Sequence, residues 1–288
     1  MSLMNYLAIC KSHRGAKDDI EPNIQPTEIP QKSKMRFPNP LSSLSIILDK
    51  ENALLLFYNA FLFAAFYDIT ATIPSQFAEV YHFNDFQIGL CYIPFGVGCM
   101  CAALTNGQFL NRNFARWCRK LGVEIRKGFE QDLRNFPVEK ARLEVAFPAC
   151  YIAASLMLAF GWILDINGPL TAALVVLFLS SFSMSVAFNV TGTLLVDFYP
   201  ETPATATAAN NLVRCLLGAG ATGVIIPMLD GMGRGWTFTF LSLFLVVSSP
   251  MLWAVYFWEL QWRQQRIVRD ERAKEMEMVN KARLLSER

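Results

Sequence analysis

The sequence predicts an all-α polytopic membrane protein with six transmembrane helices, and three observations predict it. Of its 288 residues, 53% are hydrophobic and only 17% are charged, whereas soluble domains carry about a quarter charged residues. The charge is missing from six apolar segments, each long enough to cross a bilayer, which takes about 20 residues. The basic residues also fall almost entirely on one side of those segments. With 26 Lys and Arg against 24 Asp and Glu, the net charge of +2 points to neither nucleic acid nor an acidic partner.

Residues 1–52 are polar. The stretch from Ser12 to Pro40, rich in Pro, Lys and Glu, reads as a disordered lead-in. A short amphipathic piece, Leu41 to Leu48, follows and is expected to lie along the inner membrane face. No short apolar core precedes the first full-length span, so no cleavable secretory leader is expected and the spans themselves direct insertion.

The six spans occupy about Ala53 to Phe77, Ile88 to Leu110, Val145 to Ile166, Leu170 to Leu195, Ala206 to Leu229 and Trp236 to Trp258. Counted with a cytoplasmic N-terminus, seven Lys and Arg precede the first span, nine lie between Asn111 and Glu144, none lies near Tyr199, and eight lie in the tail. The opposite loops hold only Arg234, and Arg214 lies within the fifth span. This asymmetry places both termini in the cytoplasm. Trp162 and Trp236 then fall at the outer interface, and Trp117, Trp258 and Trp262 at the inner one, where indole rings prefer the headgroups.

The outer connections, Val80 to Gln87, Asn167 to Pro169 and Asp230 to Gly235, are short enough to make the joined helices antiparallel neighbours. The inner connection after the second span is long, and Pro137 reads as the start of a helix leading into the third span, with a solvated loop as the alternative. Residues 259–288 read as a charged cytoplasmic tail helix. The seven cysteines lie in spans or on the inner side, so no outer disulfide framework is expected. The two histidines, His13 and His82, are far apart in the topology, so no metal site and no cofactor are expected.

Two residues stand out inside the membrane. Asp68 sits near the middle of the first span, where a charge is costly and by default a functional candidate. Phe61, Ala64, Ala65, Ala71, Thr72 and Ser75 share its face, and Leu56, Phe63, Phe66 and Ile73 lie opposite, so the carboxylate should face the bundle or a wet cavity. Arg214 in the fifth span shares its face with Thr207, Asn210, Asn211, Gly218, Ala221 and Thr222. The functional reading makes Asp68 and Arg214 a charge pair in a substrate or proton pathway. The structural reading has Arg214 snorkelling to fix depth and Asp68 hydrogen-bonded to a neighbouring helix. Tyr58, Asn59, Asn189, Asn210 and Asn211 are further candidate lining residues, with interhelical hydrogen bonding as their structural alternative. The run Gly218, Gly220, Gly223 reads as close helix packing. An enzyme is not supported: there is no HExxH zinc motif and no nucleophile elbow, and Asp165, Asp197 and Asp230 all lie at span ends. No phosphate-binding loop appears either, which leaves an ion gradient as the energy source.

The segment GQFLNRNFAR from Gly107 to Arg116 matches, at Gly107, Asn111, Arg112 and Arg116, the loop motif of the major facilitator superfamily. Asn111 stands where the first-half copy of that motif usually has Asp, which weakens the charged latch that the motif implies. The stretches FNDFQIGLCYIPFGVG (83–98), LLVDFYP (194–200) and ATATAANNLVRCLLGAGA (204–221) resemble the C-terminal half of fungal transporters in the twelve-span drug:proton antiporter branch. The resemblance runs from about Phe37 to near Arg266. It implies half of a major facilitator fold in the bilayer, at the plasma membrane, carrying a drug, polyamine or organic acid by proton-coupled export or exchange. It also implies that a second half, a further copy or a separate chain, completes the cavity, which the first, second, fourth and fifth spans would line. The alternative from a different class is a transporter fragment without activity of its own, or a modulator of a full-length relative.

Overall fold

The computed structural model describes residues 50–121, 138–199 and 202–258, together with Arg272, Met276, Met278 and Val279. The expected lead-in, the amphipathic piece Leu41 to Leu48, most of the long connection and nearly all of the tail lie outside the described residues. Among the described residues the chain is all-α. The helices are α1 (Lys50–Tyr81), α2 (Asp85–Leu121), α3 (Val138–Asp165), α4 (Leu170–Phe198), α5 (Pro203–Met232) and α6 (Arg234–Ser248). After Ser249 the last helix resumes over 250–258, so that Arg234–Trp258 forms one span. Among the described residues six helices are long and apolar enough to cross a membrane, and the chain is an integral multi-pass membrane protein.

Several helices run beyond their apolar cores. α2 continues through Leu121, so the motif from Gly107 to Arg116 is helical rather than a loop. α3 begins at Val138, immediately after Pro137. The physical reason is that apolar residues mark only the part of a helix immersed in hydrocarbon, while backbone hydrogen bonding carries the helix on into the polar interface.

Local chemistry marks several helix ends and breaks. Asn84 and Gln87 form a reciprocal capping box at the start of α2, the Gln87 N–H donating to Asn84 Oδ1 (3.0 Å) and the Asn84 N–H to Gln87 Oε1 (3.1 Å). Asn167 takes a positive φ of 50° after α3, and the Gly168 N–H donates to Ile163 O at 2.8 Å, closing the helix. Pro250 cannot donate to Val246 O, and the Ser249 N–H takes that carbonyl in a tighter turn at 3.0 Å. Pro74 likewise leaves Thr70 O without its helical donor, and the Tyr92 hydroxyl of α2 donates to it at 2.9 Å.

The main packed pairs are α3 with α4, α2 with α4, α1 with α5, and α3 with α6. α1 is the most buried span, with Tyr67, Ala71, Pro74, Ser75 and Ala78 as an exposed stripe; Leu56 and Ile73, which fall opposite Asp68 on the helical wheel, have no exposed surface. At those two positions the apolar face meets protein, while Phe63 and Phe66 on the same face are half-buried. Glycine sets the closest approaches. A Cβ on Gly98 of α2 would lie 2.5 Å from Phe178 O of α4, and one on Gly161 of α3 would overlap the Phe238 side chain of α6. Gly220 and Gly223, by contrast, have no neighbour within 4 Å, so of the expected glycine run only Gly218 makes a close contact.

Polar contacts tie the two ends of the bundle. At the end rich in Lys and Arg, Trp117 Nε1 of α2 donates to Glu144 Oε2 of α3 (2.9 Å), Asn113 Nδ2 donates to Ala141 O, and Arg142 pairs with Asp197 of α4 (2.6 Å). At the other end Arg234 donates to Gln76 Oε1 and pairs with Glu79, both at 2.6 Å, and the Tyr81 hydroxyl donates to Gly168 O (2.9 Å). Trp162 and Trp236 meet there with ring centroids 6.1 Å apart.

Candidate functional site

Asp68 lies about 27 Å along α1 from Lys50 and about 20 Å from Tyr81, at 1.5 Å of rise per residue. It is 1% exposed, and its Oδ1 has no hydrogen-bond partner. The helical face predicted for it is small because Ala64 and Ala65, one turn earlier, leave room for a cavity of about 340 Å³. Leu217, Gly220, Ala221 and Val224 of α5 and Leu241, Phe244 and Leu245 of α6 close that cavity. Among the described residues Asp68 is its one ionisable wall residue. This cavity borders on the first, fifth and sixth helices and lies within the one half.

Arg214 does not pair with Asp68. Its guanidinium sits over the ring of Phe63 of α1, 4.9 Å from the centroid, and over that of Phe188 of α4, 5.5 Å away. The two rings lie 5.9 Å apart, and Tyr67 packs on Phe63 at 4.4 Å. Gly218, one turn beyond Arg214, makes room for the Phe63 ring, because a Cβ there would stand 3.2 Å from it. Arg214 Nε is buried with no acceptor. Phe63 and Phe188 escape a reading by helical face alone. The signal that finds them is a glycine four residues from an intramembrane cation, which leaves room for a ring.

The polar candidates separate into two groups. Asn59 Nδ2 donates to Asn210 Oδ1 (2.9 Å), and the Thr191 hydroxyl donates to Asn59 Oδ1 (2.7 Å), joining α1, α5 and α4 in one buried network. Thr191 was not among the sequence candidates; only its place among the small and polar residues of α4 hints at it. Tyr58 is buried at 1% exposure, with its hydroxyl against the Cys150 thiol of α3. Asn189 is half-buried and Asn211 exposed.

At the basic end, Asn111, Arg112, Arg116, Arg119 and Lys120 line a shallow groove of about 610 Å³ on α2. Gly107, one turn before Asn111, is exposed with no atom near its missing side chain. Among the described residues no group of His, Cys, Asp and Glu is placed to hold a metal ion.

A bundle of six bilayer-length helices, among the described residues, with an unpartnered carboxylate oxygen and a ring-packed guanidinium within the spans defines a class first, that of polytopic helical membrane proteins with ionisable groups inside their spans. The family follows from comparison: the chain belongs to the Major Facilitator Superfamily, whose model matches residues 20–222. It is similar to MFS-type transporter phiD of Fungal sp. (strain ATCC 74256), with 36% identity over 281 residues, covering 98% of this chain and 41% of that protein. It is similar to MFS-type transporter clz19 of Cochliobolus lunatus, with 36% identity over 226 residues, 78% of this chain and 43% of the relative. Citrate exporter 1 of Aspergillus niger is 27% identical over 243 residues, 82% of this chain and 46% of the exporter. The chain spans less than half the length of each of these three relatives.

Proposed function

We propose that this chain forms one half of a proton-coupled transporter that exports or exchanges a small organic molecule, in the range of drugs, polyamines and organic acids, without transforming it. The observation that carries this reading is Asp68: a carboxylate at span depth, buried, with Oδ1 unpartnered, in the wall of a cavity. Structural carboxylates at that depth are held by hydrogen bonds or cations, and one without them is suited to take up and release a proton or a cationic group. Arg214 is the second charge of the pathway. The second half, another copy or a separate segment, would cover the exposed faces of α2 and α5.

The arginine and lysine asymmetry supports both termini in the cytoplasm, and the family resemblance supports the plasma membrane. The test is flux in proteoliposomes that hold this chain together with a six-helix half, under an imposed pH gradient. Asp68→Asn should flatten the dependence of flux on that gradient. An unchanged pH profile removes Asp68 as the proton site, and absence of flux from the assembled halves removes the transport reading.

A further inference from the structure

Arg112, Arg116, Arg119 and Lys120 are all exposed, and with Asn111 and Ala115 they line the shallow groove at the basic end of α2. Arg116 is three or four residues from each of the other three, the spacing at which like charges on a helix repel. Among the described residues none of the four pairs with a carboxylate. Asn111 brings no charge to the groove, and Glu144 of α3 is engaged by Trp117 Nε1 (2.9 Å) and Asn113 Nδ2 (3.2 Å).

Two general causes account for only part of this cluster. The negative end of the helix dipole favours Arg119 and Lys120 in the last turn, but that effect fades within a turn and does not reach Arg112 or Arg116. The bias that gathers basic residues on one side of the membrane sets their number, not their convergence on one groove of one helix. Guanidinium groups that repel one another and meet no acid form a site for phosphate, which they bind through paired hydrogen bonds.

Depth selects the kind of phosphate. The apolar part of α2 is centred near Cys99, and Arg112 lies about 20 Å along the helix from there. That is the headgroup level of a bilayer about 40–45 Å thick. Arg119 and Lys120 lie about 30 Å from the centre, beyond that level. The Lys120 ammonium is held there 5.1 Å from the centre of the Trp117 ring. A lipid with only a diester phosphate reaches the first of these cations, whereas one with further phosphates on a projecting inositol ring reaches the whole groove. Arg116 and Lys120 also stand about 120° and 160° round the helix from Leu104, so a second half seated on the apolar stripe of α2 leaves that edge of the groove open.

We infer that the groove of Arg112, Arg116, Arg119 and Lys120 binds the headgroup of a phosphoinositide in the leaflet at the basic end of the bundle. The diester lies at Arg112 and the ring phosphates lie along Arg116, Arg119 and Lys120. This lipid site is separate from Asp68 and Arg214 and does not depend on the transport reading.

The test uses the full chain in detergent micelles and reads the anisotropy of a fluorescent short-chain phosphatidylinositol bisphosphate. Saturable binding is expected, displaced by the unlabelled lipid and not by phosphatidylserine at the same total charge. Arg112→Gln and Arg116→Gln should each weaken it about tenfold, the scale of a lost charge-assisted hydrogen bond. Arg272→Gln, at an exposed position outside the groove, should leave it unchanged. Without lipid, Arg116→Gln should not lower the melting temperature, because it relieves like-charge repulsion; a lower one would mean that Arg116 is satisfied within the protein, and would sink the idea. Absence of saturable binding, displacement by phosphatidylserine as effective as by the bisphosphate, or equal losses at positions 116 and 272 would overturn the inference in favour of diffuse charge attraction. Displacement by soluble inositol trisphosphate as readily as by the lipid would assign the groove to a soluble phosphate ester and overturn the lipid reading.

Discussion

Asn59 accepts from Thr191 and donates to Asn210, so one side chain holds three helices. In a bilayer such bonds are worth about 0.6 kcal/mol each and at most about 1.7, because the separated helices also find partners. A double-mutant cycle of Asn59→Ala and Asn210→Ala, read from unfolding in detergent, should give a coupling of about that size. Zero coupling would mean that the pair does not tie α1 to α5. Asp68 and Arg214 are legible in the sequence because each interrupts an otherwise uncharged span. Their relation is not legible, since a helical wheel shows which residues share a face but not which neighbouring helix that face meets. Phe63 fell opposite Asp68 on the wheel and proved to be the ring under Arg214. The asparagines were legible as polar residues in apolar spans, but that Asn59 and Asn210 meet depends on how α1 and α5 approach.

Among helices, contact is governed by what glycine leaves out. Gly96 and Gly98 sit two residues apart on α2 and are equivalent to any composition-based reading. Only Gly98 has the α4 backbone against it; nothing lies within 4 Å of Gly96. Gly98→Ala and Gly161→Ala should lower the melting temperature, each costing about 1–3 kcal/mol as overpacking. Gly96→Ala should be neutral or stabilising, since alanine is the better helix former by about 1 kcal/mol. Equal effects at positions 96 and 98 would refute the close α2–α4 approach. The prolines show the same dependence on surroundings. Each announces a missing donor, but only the packed helices show that Tyr92 supplies one to Thr70 O.

Across the whole molecule, large apolar side chains stay exposed in long stripes, among them Leu90, Ile93, Val97, Met100 and Leu104 on α2. Exposure of this extent fits a surface covered by lipid or a partner half. With the native cysteines replaced, a cysteine at Gly231 should react with a membrane-impermeant maleimide added to intact cells, and one at Lys120 only after permeabilisation. The opposite pattern would invert the proposed orientation. Held to the chain alone, the sequence determined six spans and the two charges within them. Both follow from length, hydropathy and the free energy of placing charge in hydrocarbon, which are properties of each segment by itself. Tertiary structure decided that Asp68 and Arg214 serve different surroundings, that the cavity belongs to α1, α5 and α6, and that the asparagines bond to one another. Those outcomes depend on which helix faces meet and how closely they approach, and in lipid that is set by side-chain shape and unmet hydrogen bonds rather than by the hydrophobic pattern, which every span shares.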